Sequence, residues 1–394
     1  MKTPHSIAVN RARPLGLWAL SGVVLSLGCE SLDTSGEVIH PIVDSLTTPP
    51  GEATVVLSRG GRAGEGSTGP VATFRERFER REAVATIGDM EGTEQETFGL
   101  LWDAAITGAG EVLILDRIRT DVRAFSVTGD YLYTLGGQGE GPGELQVPEA
   151  LVLEPGGGLL VVDQAQLIHR FARRGDRLEY RDRTRFEGEP RDACRAGDDL
   201  IVHGMRSGAE RNILHRTATD GRPEFGFAVP YRYAPSLAYE MLSRGQVACG
   251  VDAGGWVVIA YQLRNAVEAY DTVDGELVWN ARIDGLQPTE VRERRGGREV
   301  GTGIFGDEPA LHFLERVAGG NGVPVFVQYS YSLREDILNR TGRHTVETYV
   351  LDPGTGEGEY WGDSIPPLLA VSDEYAVSYR NDPYPQVRVA RIPR

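Results

Sequence analysis

WDAAITGAGEVLILDRIRTDVRAFSVTGDYLYTL, residues 102–135, reads as four short strands joined by tight turns. Apolar residues gather in 102–107, 112–116, 122–127 and 131–135, while Gly108-Ala109-Gly110 and Gly129-Asp130 supply turns that need positive φ. The unit recurs along the chain. Its second strand, entered through a glycine-rich or acidic turn, begins near Val112 and again near Leu159, Leu200, Trp256, Val323 and Glu374. The successive intervals are 47, 41, 56, 67 and 51 residues. A repeat of about 40–50 residues built of short strands is the signature of a β-propeller.

Working outward, further sets of four strands fall in residues 150–182, 192–229, 247–283 and 311–361. The last set has only three, at 368–371, 375–379 and 387–392, and Ala83-Val84-Ala85-Thr86-Ile87 supplies its fourth. The expectation is an all-β, six-bladed β-propeller over residues 83–394, with four-stranded blades and an N-terminal strand closing the last one. Such closure removes the open edges that invite aggregation. Ahead of it, residues 52–82 form an N-terminal extension in which Thr54-Val55-Val56-Leu57 suits a strand and the charged run 74–82 has no deciding period. Residues 29–51, with Thr47-Thr48-Pro49-Pro50, suit a linker.

Residues 1–28 read as a secretion signal: Lys2, Arg11 and Arg13 precede a 13-residue apolar stretch, 15–27, too short to span a bilayer. Ser26-Leu27-Gly28-Cys29 resembles the lipobox of bacterial lipoproteins, which implies lipidation of Cys29 and attachment to a membrane through that lipid alone. Leu25 stands one place earlier than the leucine of that pattern, and Ser26 and Gly28 also fit ordinary cleavage. Either processing places the mature protein outside the cytoplasm.

The formal net charge is −16, and removal of residues 1–28 leaves −19. Nucleic acid is excluded as a partner on this ground, since phosphate binding needs a basic footprint. Lys2 is the only lysine, so the mature chain has no lysine for a Schiff base, a phosphate loop or general-base work. Besides Cys29 there are two cysteines, Cys194 and Cys249, each six or seven residues before the second strand of its blade. That spacing sets them on adjacent innermost strands, where they form either a disulfide or two buried thiols.

Gly137-Gln138-Gly139-Glu140-Gly141-Pro142-Gly143-Glu144-Leu145, after Gly129-Asp130-Tyr131-Leu132-Tyr133-Thr134-Leu135-Gly136, resembles bacterial six-bladed propeller proteins related to NHL repeats. So do the strand endings Ile114-Leu115-Asp116 and Val161-Val162-Asp163. The resemblance implies the six-bladed fold and secretion, and it implies little about activity.

Turns from first to second and from third to fourth strand share one face of a propeller, and here they are short. The other face receives 136–148, 204–211, 230–246, 284–308, 330–343 and 380–386. Long loops of unequal length on a rigid scaffold carry binding more often than uniform turns. Arg206, Arg211, Tyr231, Tyr233, Arg294, Arg295, Arg334 and Tyr384 lie there and are the candidate ligand-binding residues for a protein, peptide or carbohydrate. A second candidate is the channel. Asp103, Glu149 and Asp192 take matching places at the starts of three inner strands, where three carboxylates suit a divalent cation such as calcium, with Gln246 adding a carbonyl. Asp116 and Asp163 suit backbone fastening at strand ends. Of the histidines, His203 lies nearest the long-loop face. No Gly-x-Ser-x-Gly, His-Glu-x-x-His or Cys-x-x-Cys occurs. Two functions follow: a binding module using the long-loop face, or a metal-dependent hydrolase or lyase, lactonase-like, with its site in the channel.

Overall fold

Alternation within single strands divides the core. Val112 and Ile114 pack with Val377, Val387 and Val389, whereas Leu113 and Leu115 pack with Leu159, Val161 and Phe171. Strand side chains point alternately to opposite faces, so a strand apolar at every position must be covered on both sides. A computed structural model describes residues 38–39, 54–58, 69–206, 211–218, 222–230, 236–251, 254–286, 291–294, 299–302, 310–339 and 343–394. It contains six four-stranded antiparallel blades, and each blade is one supersecondary unit covered on both faces by its neighbours.

The innermost strands, in ring order, are Leu101–Ile106, Pro148–Leu153, Gly188–Ala196, Gly245–Gly250, Ala310–Ala318 and Leu368–Val371. Each contacts the next, and the sixth returns to the first. Blade 6 consists of Leu368–Val371, Tyr375–Arg380, Gln386–Arg391 and, from the start of the propeller, Glu82–Ile87. The last pair is antiparallel, with Val387 opposite Ile87 and Arg391 opposite Glu82. The expected closure is therefore present.

The described parts of the N-terminal extension pack on the outside of the ring. Thr54–Leu57 adds a fifth, parallel strand to the outer strand of blade 4, Leu277–Ile283, and the Leu57 carbonyl accepts the Asp284 N–H at 2.7 Å. The first part of the charged run lies in a helix, Pro70–Glu79, and its last residue, Glu82, opens the closing strand. Val71, Phe74 and Phe78 recur at helical spacing and are buried against Phe326 and Trp361 of blade 5 and Ile392 after blade 6. Proline at the start of the helix is compatible with its first turn, whose N–H groups lack partners in any case. Arg77 fixes the other face, donating to Asp373 at 2.7 Å and to the Pro393 carbonyl at 3.0 Å.

Asp116 and Asp163 fasten backbone, as their places suggested. Asp116 accepts the N–H groups of Gly99, Leu100, Ile118 and Arg119 at 2.6–3.2 Å. Asp163 accepts those of Gln146, Val147 and Ala165 at 2.7–3.0 Å. Each ties the connection entering its blade to the turn between its second and third strands. Cys194 and Cys249 are joined as a disulfide between the innermost strands of blades 3 and 4, with Cα atoms 5.5 Å apart.

Candidate axial site at the long-loop end

Five of the six innermost strands carry a register slip at the same place. Pairing with the second strand skips Trp102 in blade 1, Glu149 in blade 2, Arg191 in blade 3, Glu315 in blade 5 and Leu369 in blade 6. The innermost strand of blade 4 pairs without a slip. A β-bulge of this kind leaves the extra residue out of the ladder and re-aims its side chain. The slips lie toward the end where each innermost strand enters from the preceding blade, the end that receives the long connections. Helices Ser236–Leu242 and Arg334–Leu338 belong to those connections, as does the pair Val291–Arg294 and Glu299–Thr302.

Side chains from several blades meet around Trp102. The Arg117 guanidinium lies 4.0 Å from the Trp102 ring centroid, and its Nη2 is 2.6 Å from Glu149 Oε1. Arg316 approaches the same ring at 5.6 Å and the Tyr379 ring at 5.2 Å. The Tyr379 hydroxyl donates to Glu315 at 2.5 Å. On the side of blades 3 and 4, Arg191 pairs with Glu189 at 3.2 Å and with Glu240 at 3.1 Å, and Arg244 shares Glu240 at 3.2 Å. Guanidinium groups over aromatic faces and paired with carboxylates keep their charge in a desolvated setting.

Burial shifts the acids here upward. Glu149, 9% exposed, is pushed up to about 7 by desolvation, with Arg117, Arg191 and the Trp102 indole pulling the other way. Asp103 is pushed up to about 6, chiefly by burial, against the N–H groups of Leu151 and Ala104 and the charge of Arg316. Asp192 is pushed up to about 8 by burial and by the charges of Asp103 and Glu149. Burial also works against the charge of Arg316, but Tyr379, Glu315 and Asp103 more than offset it and hold the guanidinium protonated.

The acid trio is not drawn together as one three-ligand group among the described residues. Asp103 and Asp192 share one register place, but the bulge sets Glu149 one residue out of it, and Ala150 stands where their equivalent would be. Asp103 accepts the Ala104 N–H at 2.8 Å and, in blade 2, the Leu151 N–H at 2.7 Å. Asp192 does the same with Ala193 and, in blade 4, with Val247, both at 2.8 Å. Gln246 continues the series, its carbonyl accepting the Val317 N–H of blade 5 at 2.9 Å. These side chains staple neighbouring innermost strands. Among the described residues no group of three or more His, Cys, Asp or Glu stands together to hold a metal ion.

The described ligand-binding candidates on the long loops each have their own surroundings. Arg206 pairs with Glu187 at 3.1 Å, and Arg211 lies 4.9 Å from the Tyr239 ring centroid in the connection beside it. Arg334 opens the short helix of blade 5, and Tyr384, in blade 6, accepts a hydrogen bond from Gln386 at 2.9 Å. Arg294 ends a strand paired with Glu299. Tyr231, Tyr233 and Arg295 lie outside the described residues, as does Cys29. His203 is buried, with Nε2 2.9 Å from the Ser243 carbonyl, and belongs to the packing of blade 3. Sequence reading singled out Glu149 but passed over Trp102, Arg191 and Glu315, which occupy the matching place on other innermost strands.

No protein-family model matches the chain, and no curated protein matches it. Among solved structures, one similar fold is a Bacteroides fragilis protein described as exported. It is 10% identical, with 87% of this chain and 100% of that one covered and a TM-score of 0.53. Another is a catalytically inactive virginiamycin B lyase from Staphylococcus aureus, solved with quinupristin, at 12% identity, 78% and 99% coverage and a TM-score of 0.44. The likeness is one of fold.

Proposed function

We propose that the protein is an extracytoplasmic propeller, lipid-anchored at Cys29, that binds a ligand at the long-loop end of its axis. The observation that carries this reading is the bulge repeated in five blades, which takes Trp102, Glu149, Arg191 and Glu315 out of the ladder at one register on the innermost strands. Bulges that break a ladder at one register in successive blades cost pairing, and they commonly re-aim side chains for a site. The signal-like segment 1–28 and the Ser26-Leu27-Gly28-Cys29 sequence support export and anchoring. The exported description of the Bacteroides fragilis protein agrees with them.

The scaffold suits recognition. Its site residues stand on innermost strands tied to one another by Asp103, Asp192 and Gln246, so they are held with little freedom to lose on binding. The test is a thermal-shift screen of small metabolites, oligosaccharides and peptides against the wild-type protein and Trp102→Leu. A ligand at 100 times its Kd stabilises by about 2.7 kcal/mol, enough to raise the melting temperature by several degrees. Hits that stabilise both proteins equally would remove the axial site from consideration. Anchoring is tested separately by labelling with an alkyne fatty acid, which Cys29→Ala should abolish.

A further inference from the structure

Arg316 differs from Arg117, Arg191 and Arg244. Arg117 has Glu149, Arg191 has Glu189 and Glu240, and Arg244 has Glu240. Among the described residues no carboxylate lies within salt-bridge distance of Arg316, and its Nε is buried without a hydrogen-bond partner. The acids whose charges it feels are engaged elsewhere. Glu315 receives the Tyr379 hydroxyl, and Asp103 receives two backbone N–H groups. Trp102 and Tyr379 lie against the guanidinium, and the Tyr379 hydroxyl is also a hydrogen-bond partner to it, which fixes its position while its buried Nε keeps no acceptor.

We infer that Arg316 is the anion-recognising residue of the axial site and that the ligand it takes carries a carboxylate. This rests on the axial reading above and gives that site a ligand class. The Nε and one Nη of a guanidinium present two parallel N–H donors whose spacing matches the two oxygens of a carboxylate. One positive charge without an ion partner suits a monoanion. A phosphate dianion would bring its second charge toward Glu315 and Asp103, which already act electrostatically on Arg316. A neutral saccharide would leave the charged donor without its complement.

The test uses the full-length protein and four probes at constant ionic strength: benzoate, hexanoate, inorganic phosphate and chloride. Binding is followed by calorimetry and by the melting temperature, for the wild type, Arg316→Gln, Arg316→Lys and Trp102→Leu. Saturable binding of a carboxylate is expected, weakened about tenfold or more in Arg316→Gln and less in Arg316→Lys, which keeps the charge but not the fork. Arg316→Lys also serves as the control for folding. Binding of phosphate alone, or of none of the probes, would overturn the assignment. So would carboxylate binding within about twofold of wild type in Arg316→Gln. If the thermal-shift screen meanwhile yields an uncharged ligand lost in Trp102→Leu, the axial site stands and the carboxylate inference alone fails.

Discussion

Asp192 in blade 3 accepts the backbone N–H of Val247 in blade 4 at 2.8 Å, two residues from the Cys194–Cys249 bridge that joins the same two strands. One carboxylate and one disulfide thus fasten a single blade junction beside the axial site. Asp103 and Leu151 repeat the first device between blades 1 and 2.

Asp192→Ala leaves the Val247 N–H without its acceptor and should cost about 1–3 kcal/mol in urea unfolding. The pH dependence gives a second readout. The folded-state pKa of Asp192 is raised to about 8, so the native state holds this proton more tightly than the unfolded chain. Its contribution to stability therefore rises as pH falls through 8. The gain in stability of the wild type between pH 9 and pH 6 should shrink in Asp192→Asn; an unchanged gain would show that Asp192 titrates normally.

His203 and His215 act in the opposite direction. Burial pushes both down to about 4 from the ordinary 6.5. The unfolded chain takes up these protons first, so their contribution is complete above pH 6.5 and is lost as pH falls toward 4. Because Asp192 gains stability across this same range, the comparison is between proteins. Between pH 7 and pH 4.5 the urea midpoint of wild type should fall further than that of His203→Gln.

Replacing both bridged cysteines by alanine should destabilise by about 2–4 kcal/mol, since the bridge closes a long loop across 55 positions of sequence. Equal melting temperatures for the wild type and the double variant would remove the bridge from the account.

The helix Pro70–Glu79 should be integral to the ring rather than an appendage. Phe78 is 1% exposed and touches the rings of Phe74, Phe326 and Trp361. Phe78→Ala should cost about 3–5 kcal/mol, measured by urea unfolding. A cost below about 1 kcal/mol would mean that the helix contributes little to the packing of blades 5 and 6.

The blades were legible because the sequence repeats one physical problem six times. Strands such as Trp256–Tyr261, Ala266–Asp271 and Leu277–Ile283 lie where the apolar runs and turn residues place them. The helix was hidden because seven charged residues lie among 74–82, although Val71, Phe74 and Phe78 already had helical spacing. The axial site was less legible for a different reason. A bulge shifts register by one residue and flips which side chains correspond, so Glu149 reads as the partner of Asp103 when its counterparts are Trp102 and Arg191. Arg117 and Tyr379 reach the site from a turn and from a second strand, where no pattern along the chain marks them.

The most direct measurement is the dissociation constant of the best screened ligand for the wild type, Trp102→Leu and the loop deletion 286–305, each first shown to be folded. The axial account predicts that Trp102→Leu weakens binding about tenfold or more, a loss of about 1.4 kcal/mol. Binding unchanged in Trp102→Leu and abolished by the loop deletion would contradict it and place the site on the outer loops.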